Sequence, residues 1–298
     1  MHTFIDKMIH KVFDDFQEGI NQREGLCELK DLTYKGRNLP DYENELIQQY
    51  YMLRFFPAYL AEYYLIYRKL FRKRFIRSPL NIFSIGVGCG IDYYGLHFAA
   101  KDDENNRLKN MEYTGIDQVD WLYWNDFGRK NIHYIVKDIT KWSKLDEDSY
   151  NIIIFPKSIG EFSNKTFTHI KNIFRNSTFS AKRIYFLCSL MDVEYAKGVD
   201  IGRLSSLVDI MKRKHGFSCQ DDPEKFWRLK KDAGIITVCN GFMYPDDIID
   251  ELRKLLERCP TYISNGNESC ESNCANINRY PILRTKYMNY SILRLEKK

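Results

Sequence analysis

The sequence predicts a doubly wound α/β domain, a mostly parallel sheet with helices on its faces. Three observations predict it. An apolar run, Ile82 to Ile85, enters a glycine turn, Gly86-Val87-Gly88-Cys89-Gly90, and a segment of helical character, Ile91 to Ala100, follows. Later apolar runs end in polar residues: Met111 to Ile116 before Asp117, Ile132 to Val136 before Asp138, and Tyr150 to Phe155 before Pro156-Lys157-Ser158. Open parallel sheets bind ligands at the C-terminal ends of their strands, so polar groups belong there. Last, Arg284 to Leu295 alternates and is rich in Tyr, Ile and Leu, as a terminal strand does.

Residues 1 to 20 open the chain with Phe4, Ile5, Met8, Ile9, Val12, Phe13 and Phe16 at helical spacing, an amphipathic helix that must dock on something. Residues 21 to 42 are polar, hold Gly25, Gly36 and Pro40, and read as loop. Tyr42 to Ile76 has a long helical pattern, with Pro57 a point of break or kink. Its aromatics, among them Tyr50, Tyr51, Phe55, Phe56, Tyr59, Tyr63, Tyr64 and Tyr67, suit a helical layer on the sheet, or a lid whose hydroxyls reach an acceptor pocket. Residues 1–78 are therefore expected to form an N-terminal helical extension, and 79–298 the sheet domain. Within the latter, Ser163 to Asn176 reads as helix, Arg183 to Ser189 as a fifth strand and Ile201 to His215 as a helix starting after Asp200. Gly234 to Cys239 reads as a strand and Asp246 to Arg258 as a helix.

The glycine turn narrows the ligand. Dinucleotide sites use GxGxxG with an acid about 20 residues on. Here the spacing is GxGxG, and Ile91 stands where the third dinucleotide glycine is needed. With Asp117, Asp138 and the strand before Pro156, this order resembles the class I S-adenosylmethionine-dependent methyltransferases, over roughly residues 80 to 190. The resemblance implies a Rossmann-like, seven-stranded sheet closed by an antiparallel strand, with S-adenosyl-L-methionine as cofactor. It implies that the turn Gly86, Val87, Gly88, Cys89 and Gly90 faces the methionine part. Asp117, with Gln118 beside it, would take the ribose hydroxyls, and Asp138 with Ile139 would face the adenine. Phe155 and Pro156 would close the same groove. The family often carries an acid two residues before the first glycine. Ser84 stands there instead, which leaves Asp92 as a candidate for the cofactor's amino group.

Methyl transfer is an in-line displacement. The thioether leaves without a proton, so the enzyme's main tasks are positioning and exclusion of water. A base matters only where the acceptor must lose a proton. The segment after the fourth strand, Phe155-Pro156-Lys157-Ser158-Ile159-Gly160-Glu161-Phe162, would face the reacting methyl. It lacks the acid-or-amide, Pro-Pro, aromatic signature of amino-methylating DNA enzymes. Glu161 is the carboxylate suited to orient an amine or act as base; Lys157 and Ser158 either bind a polar acceptor or cap the next helix.

Composition sets the outer bounds. The chain has 298 residues, 44% hydrophobic, with 45 bases against 40 acids and a net charge of +5, which permits an acidic partner without demanding nucleic acid. The basic stretch Tyr67 to Arg77 reads either as an RNA footprint or as the solvated end of a helix. Eight cysteines in so long a chain are no disulfide scaffold, and no run approaches the ~20 apolar residues of a membrane span. A cytoplasmic setting is the expectation. Cys259, Cys270 and Cys274 lack a standard zinc spacing, so no metal is expected. No GxSxG elbow and no GxxxxGK[ST] loop occurs. The reading is a methyltransferase acting on N or O of a small-molecule or natural-product acceptor. Its rivals are an RNA or protein methyltransferase, and a protein that cleaves S-adenosylmethionine, transfers another part of it, or only binds it.

Overall fold

The computed structural model describes the chain except residues 33–38, 73–75, 77–78, 105–106, 147–148, 192–193, 229–231, 266–273, 286–287 and 298. Two helices come first, α1 (His2–Asn21) and α2 (Glu45–Arg72). Pro57 lies inside α2 without ending it. The strands and helices of the sheet follow: β1 (Leu80–Ile85), α3 (Ile91–Lys101), β2 (Met111–Asp117), β3 (Ile132–Val136), β4 (Ile152–Pro156), α4 (Asn164–Asn176), β5 (Arg183–Leu190) and α5 (Glu194–His215). Then come β6 (Phe217–Cys219), β7 (Trp227–Arg228), the short helices α6 (Ile235–Val238), α7 (Asp246–Arg253) and α8 (Pro260–Asn265), and β8 (Asn289–Lys297).

The strand order is β3-β2-β1-β4-β5-β8-β6, with β7 pairing β8 off this path, so the sheet has eight strands where seven were expected. The extra one is a two-residue strand with no hydrophobic alternation to announce it. The pairs β1–β2, β1–β4, β2–β3 and β4–β5 are parallel. The final strand, β8, runs antiparallel to β5, β6 and β7. This is the mostly parallel, doubly wound architecture the sequence predicts. β1 is buried along nearly its whole length because both its edges are paired and both its faces covered.

Chain contacts divide the molecule into two compact units, and the division falls within α2. The first unit joins Met1–Ala61 to Ala233–Thr285. In it α1 buries Ile5, Met8, Ile9, Val12, Phe16 and Ile20, the face its periodicity foretold. Phe16 stacks on Tyr50 at 5.9 Å, and the Tyr50 hydroxyl donates to the Ile277 carbonyl at 2.5 Å. Tyr244 donates to Leu53 O at 2.8 Å. The stretch read as a strand near Gly234 is instead the short helix α6. Only Gly234 makes a bridge there, to Arg284, so the apolar run Ile235–Val238 forms one helical turn.

The second unit joins Glu62–Asp232 to Lys286–Lys298 and holds the sheet. A core cluster lies between one sheet face and helices α4 and α5, built from Phe83, Ile153, Phe155, Phe174, Phe186, Leu207 and their neighbours. On the other face α3 meets the C-terminal part of α2 at Gly95. A Cβ on Gly95 would fall 2.5 Å from Tyr63 Cβ and 2.6 Å from the Tyr64 backbone nitrogen, so glycine is what allows this approach. α5 begins at Glu194, earlier than the expected start after Asp200, which places Asp200 inside the helix. β2 and β3 are joined by 118–131 without any helix, and Tyr123 and Phe127 take positive φ of 68° and 55° there.

Candidate functional site

The glycine turn sits at the C-terminal end of central β1. Gly86, Gly88 and Gly90 have φ of 72°, 57° and 83°, values that cost other residues. The amides of Gly86 and Val87 both donate to Ile116 O, at 2.9 and 3.2 Å, tying the turn to the end of β2. Two of the glycines are needed for the protein's own packing. A Cβ on Gly86 would lie 2.5 Å from Ser158 Cβ, and one on Gly90 would run into the Trp124 ring. Gly88 is different: a Cβ there would meet nothing nearer than the Trp121 ring at 3.7 Å, so its positive φ is what it supplies. Val87 and Cys89 point inward, 4% and 1% exposed, and burial pushes the Cys89 thiol far up, which makes it a turn residue without nucleophilic character.

The Gly88 amide donates to Asp117 Oδ2 at 2.8 Å, and Val119 N donates to Oδ1 at 3.0 Å. The Trp121 side chain and the Gln118 amide also act on this carboxylate. Burial raises the Asp117 pKa, and these amides pull it back. Gln118 beside it is exposed. The end of β3 is tied in by Lys137 N donating to Asp117 O at 2.7 Å. Asp138 caps the short 3-10 turn Ile139–Lys141 by accepting from Thr140 N at 2.8 Å, which lowers its pKa. The Ile139 side chain enters the core cluster.

Ser84 and Asp92 form one unit beneath the turn. Ser84 Oγ and Tyr113 Oη each donate to Asp92 Oδ2 at 2.9 Å. Asp92 is fully buried, and burial raises its pKa to about 7 despite these donors. The carboxylate absent from position 84 is thus reached from the first turn of α3 through the serine. Asp92 Oδ1 has no partner among the described residues.

In the segment after β4, Lys157 and Ser158 are both engaged by the protein's own groups. Lys157 has a positive φ of 58°, and its ammonium lies 3.1 Å from the Glu62 carboxylate, both nearly buried, while also donating to Leu190 O at 3.2 Å. Ser189 Oγ donates to the same Glu62 at 2.5 Å. Ser158 donates to Ile85 O. Neither caps α4, whose cap is Ser163, accepting from Thr166 N at 3.0 Å. Lys157 thus links the end of β4 to α2 and to the end of β5, and Ser158 links it to the end of β1. Phe155 is fully buried and Pro156 partly exposed at the strand terminus.

Glu161 is partly exposed; its amide donates to Ser158 O at 2.9 Å, and its carboxylate makes no hydrogen bond or ion pair among the described residues. Its pKa is raised to about 8, first by burial, then by the charges of Asp200 and Asp117, with Lys157 opposing. Asp200 is the group the sequence reading missed. It accepts from Met191 N at 2.8 Å, and burial raises its pKa to about 6. It shares the inner face of α5 with Leu204, Leu207 and Met211, so the available signal was an acid at an apolar-face position.

The remaining candidates carry less. Among the described residues no three His, Cys, Asp or Glu converge as metal ligands; Cys270 lies outside them. Of the basic stretch, Lys73, Arg74 and Arg77 also lie outside them. Arg68 stands over the Tyr64 ring at 5.3 Å, and Lys69 lies 3.9 Å from the Trp227 ring centre and donates to Tyr290 Oη at 3.0 Å. Among the described residues no helix is long and apolar enough to cross a membrane.

No family model and no curated protein sequence matches the chain. Solved structures resemble it at a distance. The plantazolicin methyltransferase BpumL, in complex with a monoazolic desmethylPZN analog and SAH, gives a TM-score of 0.45 at 16% identity, over 95% of this chain and 100% of that one. The YcgJ protein of Bacillus subtilis gives 0.39 at 13%, over 78% and 99%. The Haemonchus contortus phosphoethanolamine N-methyltransferase 2, with phosphomonomethylethanolamine and S-adenosylhomocysteine, gives 0.36 at 14%, over 77% of this chain and 52% of that one. At these TM-scores the likeness adds nothing to the geometry of the site.

Proposed function

We propose that this protein transfers a methyl group from S-adenosylmethionine to a nucleophilic N or O of a small-molecule acceptor. One observation carries the reading: the Gly88 amide donates to the Asp117 carboxylate at 2.8 Å, so acid and turn meet at the C-terminal ends of β1 and β2. A buried carboxylate set beside a glycine turn at the end of β2 suits a ribose diol, so the residues present fit the cofactor.

Asp117 would hold the ribose, the turn from Gly86 to Gly90 the methionine part, and Asp138 the adenine side. Ser84 with Asp92 braces the turn from below, and Asp92 acts on a ligand only through what the serine or the turn presents. When bound, the cofactor supplies an electrophilic methyl carbon. The chain's contribution is to orient the acceptor and keep water out. Glu161, the carboxylate after β4 without a partner of its own, is the group to receive the acceptor. The reading of the basic stretch as an RNA footprint gains nothing, because Arg68 and Lys69 are engaged by aromatic rings. Titration calorimetry with S-adenosylhomocysteine tests the proposal. Saturable binding at micromolar concentration is the expected result, and none at millimolar cofactor overturns it.

A further inference from the structure

The acceptor's chemical class is written in the surroundings of Glu161. Asp200 is 0% exposed, yet its Oδ1 has no partner among the described residues. That oxygen is pressed against Gly160, so closely that any Cβ there would collide with it. Gly160 precedes Glu161 in the chain, so two acids stand back to back across one glycine. A buried carboxylate oxygen left without a donor is costly in a site that serves only structure. Conventional relief is refused here. The nearest guanidinium, Arg203, lies one turn along α5. It donates at 2.7 Å to the carbonyls of Ile159 and Phe162 and at 3.0 Å to Asn164 Oδ1. It clamps the Glu161 segment and leaves both carboxyls unbridged. Lys157, the other nearby cation, is held by Glu62 at 3.1 Å. The charges facing Glu161 are therefore Asp200 and Asp117 against Lys157, and those facing Asp200 are Lys157 and Arg203.

We infer that Glu161 and Asp200 make a subsite for the basic nitrogen of an amine acceptor, with Glu161 touching the nitrogen and Asp200 a positioning residue behind it. The inference rests on the proposed methyl transfer and narrows its acceptor. An ammonium donates to Glu161, and the second negative group strengthens that attraction. A hydroxyl or carboxylate acceptor has no cation to offer the pair. The ammonium then passes one proton to Glu161: an N–H bond breaks, an O–H bond forms, and the nitrogen keeps the electron pair with which it attacks. Burial first, and then repulsion from Asp200 and Asp117, makes Glu161 basic enough to accept it.

The test uses full-length protein with 13C-labelled glutamate carboxyls, saturated with S-adenosylhomocysteine and titrated with n-propylamine, n-propanol or propionate at pH 9, where Glu161, whose pKa is about 8, is ionised and propylammonium still carries its charge. Propylammonium is expected to shift the one carboxyl signal that vanishes in Glu161→Gln, with millimolar affinity, and neither other probe should do so. Asp200→Asn should weaken propylammonium at least tenfold and lower the titration midpoint of the Glu161 signal by about one pH unit or more. A role for Asp200 in packing alone would leave that midpoint in place in the folded variant. Equal binding of propanol, preference for propionate, no amine binding at 100 mM, or an unmoved midpoint in Asp200→Asn each overturns the inference. Should Asp200→Asn not fold, Glu161→Gln with the three probes decides alone. Calorimetry of S-adenosylhomocysteine on the same samples separates the two readings: failed cofactor binding sinks the methyl transfer, whereas intact binding with no amine preference sinks only the amine subsite.

Discussion

The amide of Gly88 donates to Oδ2 of Asp117 at 2.8 Å, joining the middle of the turn after β1 to the end of β2. Asp117→Ala removes both the carboxylate proposed to hold the ribose and the acceptor that holds this amide. It is expected to weaken S-adenosylhomocysteine by about 2 kcal/mol or more, roughly 30-fold in Kd, as for a hydrogen bond to a charged group. Calorimetry on wild type and variant checks this; equal affinities would mean that the ribose lies elsewhere.

Lys157 and Glu62 are 3.1 Å apart with side chains 11% and 2% exposed. Removing one partner strands a buried charge. Lys157→Met should cost about 3 kcal/mol in urea unfolding. Lys157→Met combined with Glu62→Gln should recover much of that loss, because the glutamine still accepts from Ser189 and carries no charge. A lysine serving the reaction alone would show no such recovery.

Stability should fall as pH rises toward neutral and beyond. The native Asp92 pKa is about 7 against 3.8 in a free chain, and that of Glu161 about 8 against 4.5. Between those values the folded state holds protons that the unfolded chain releases. The stabilising contribution is therefore complete below the unfolded pKa and lost as pH climbs through the folded one. Thermal melts from pH 5 to 9 should show the decline, and Asp92→Asn should flatten its part up to about pH 7, the native Asp92 value.

Gly95→Ala tests the approach of α3 to α2. The added methyl would fall 2.5 Å from Tyr63 Cβ, and backbone flanks the space, so nothing can swing aside. An expected loss of about 1–3 kcal/mol, typical of overpacking, would register as a lower melting temperature with cofactor affinity preserved. A neutral or stabilising result, as alanine usually gives in a helix, would mean that the helices are less tightly apposed.

The strands that build the groove were legible because their signals are local. β3 was read to the residue, and β1, β2, β4 and β5 to within two. An apolar run ending at Gly86, Asp117 or Pro156 marks a parallel strand and its polar end together. α1 was legible for the same reason. What escaped depends on partners distant in sequence. Nothing in Lys157-Ser158 announces that Glu62, Leu190 and Ile85 would claim these side chains. Asp200 looked like a helix start because acids favour first turns, whereas α5 begins at Glu194. Gly234 to Cys239 reads as a strand in the sequence, yet among the described residues it makes one bridge, Gly234 to Arg284, which does not sustain a strand. The union of Met1–Ala61 with Ala233–Thr285 is a long-range choice that periodicity does not encode.

The placement of β8 between β5 and β6 has a consequence for handling the protein. Among the described residues, β6 and β7 pair with β8 alone, and β5 relies on it for one whole side. Proteolysis or truncation just ahead of Asn289 would strip three strands of a partner at once. The long, apolar flank of β5 would then be left as a template for intermolecular pairing. Clipped preparations should accordingly precipitate, and an intact C-terminal segment becomes a first criterion of sample quality.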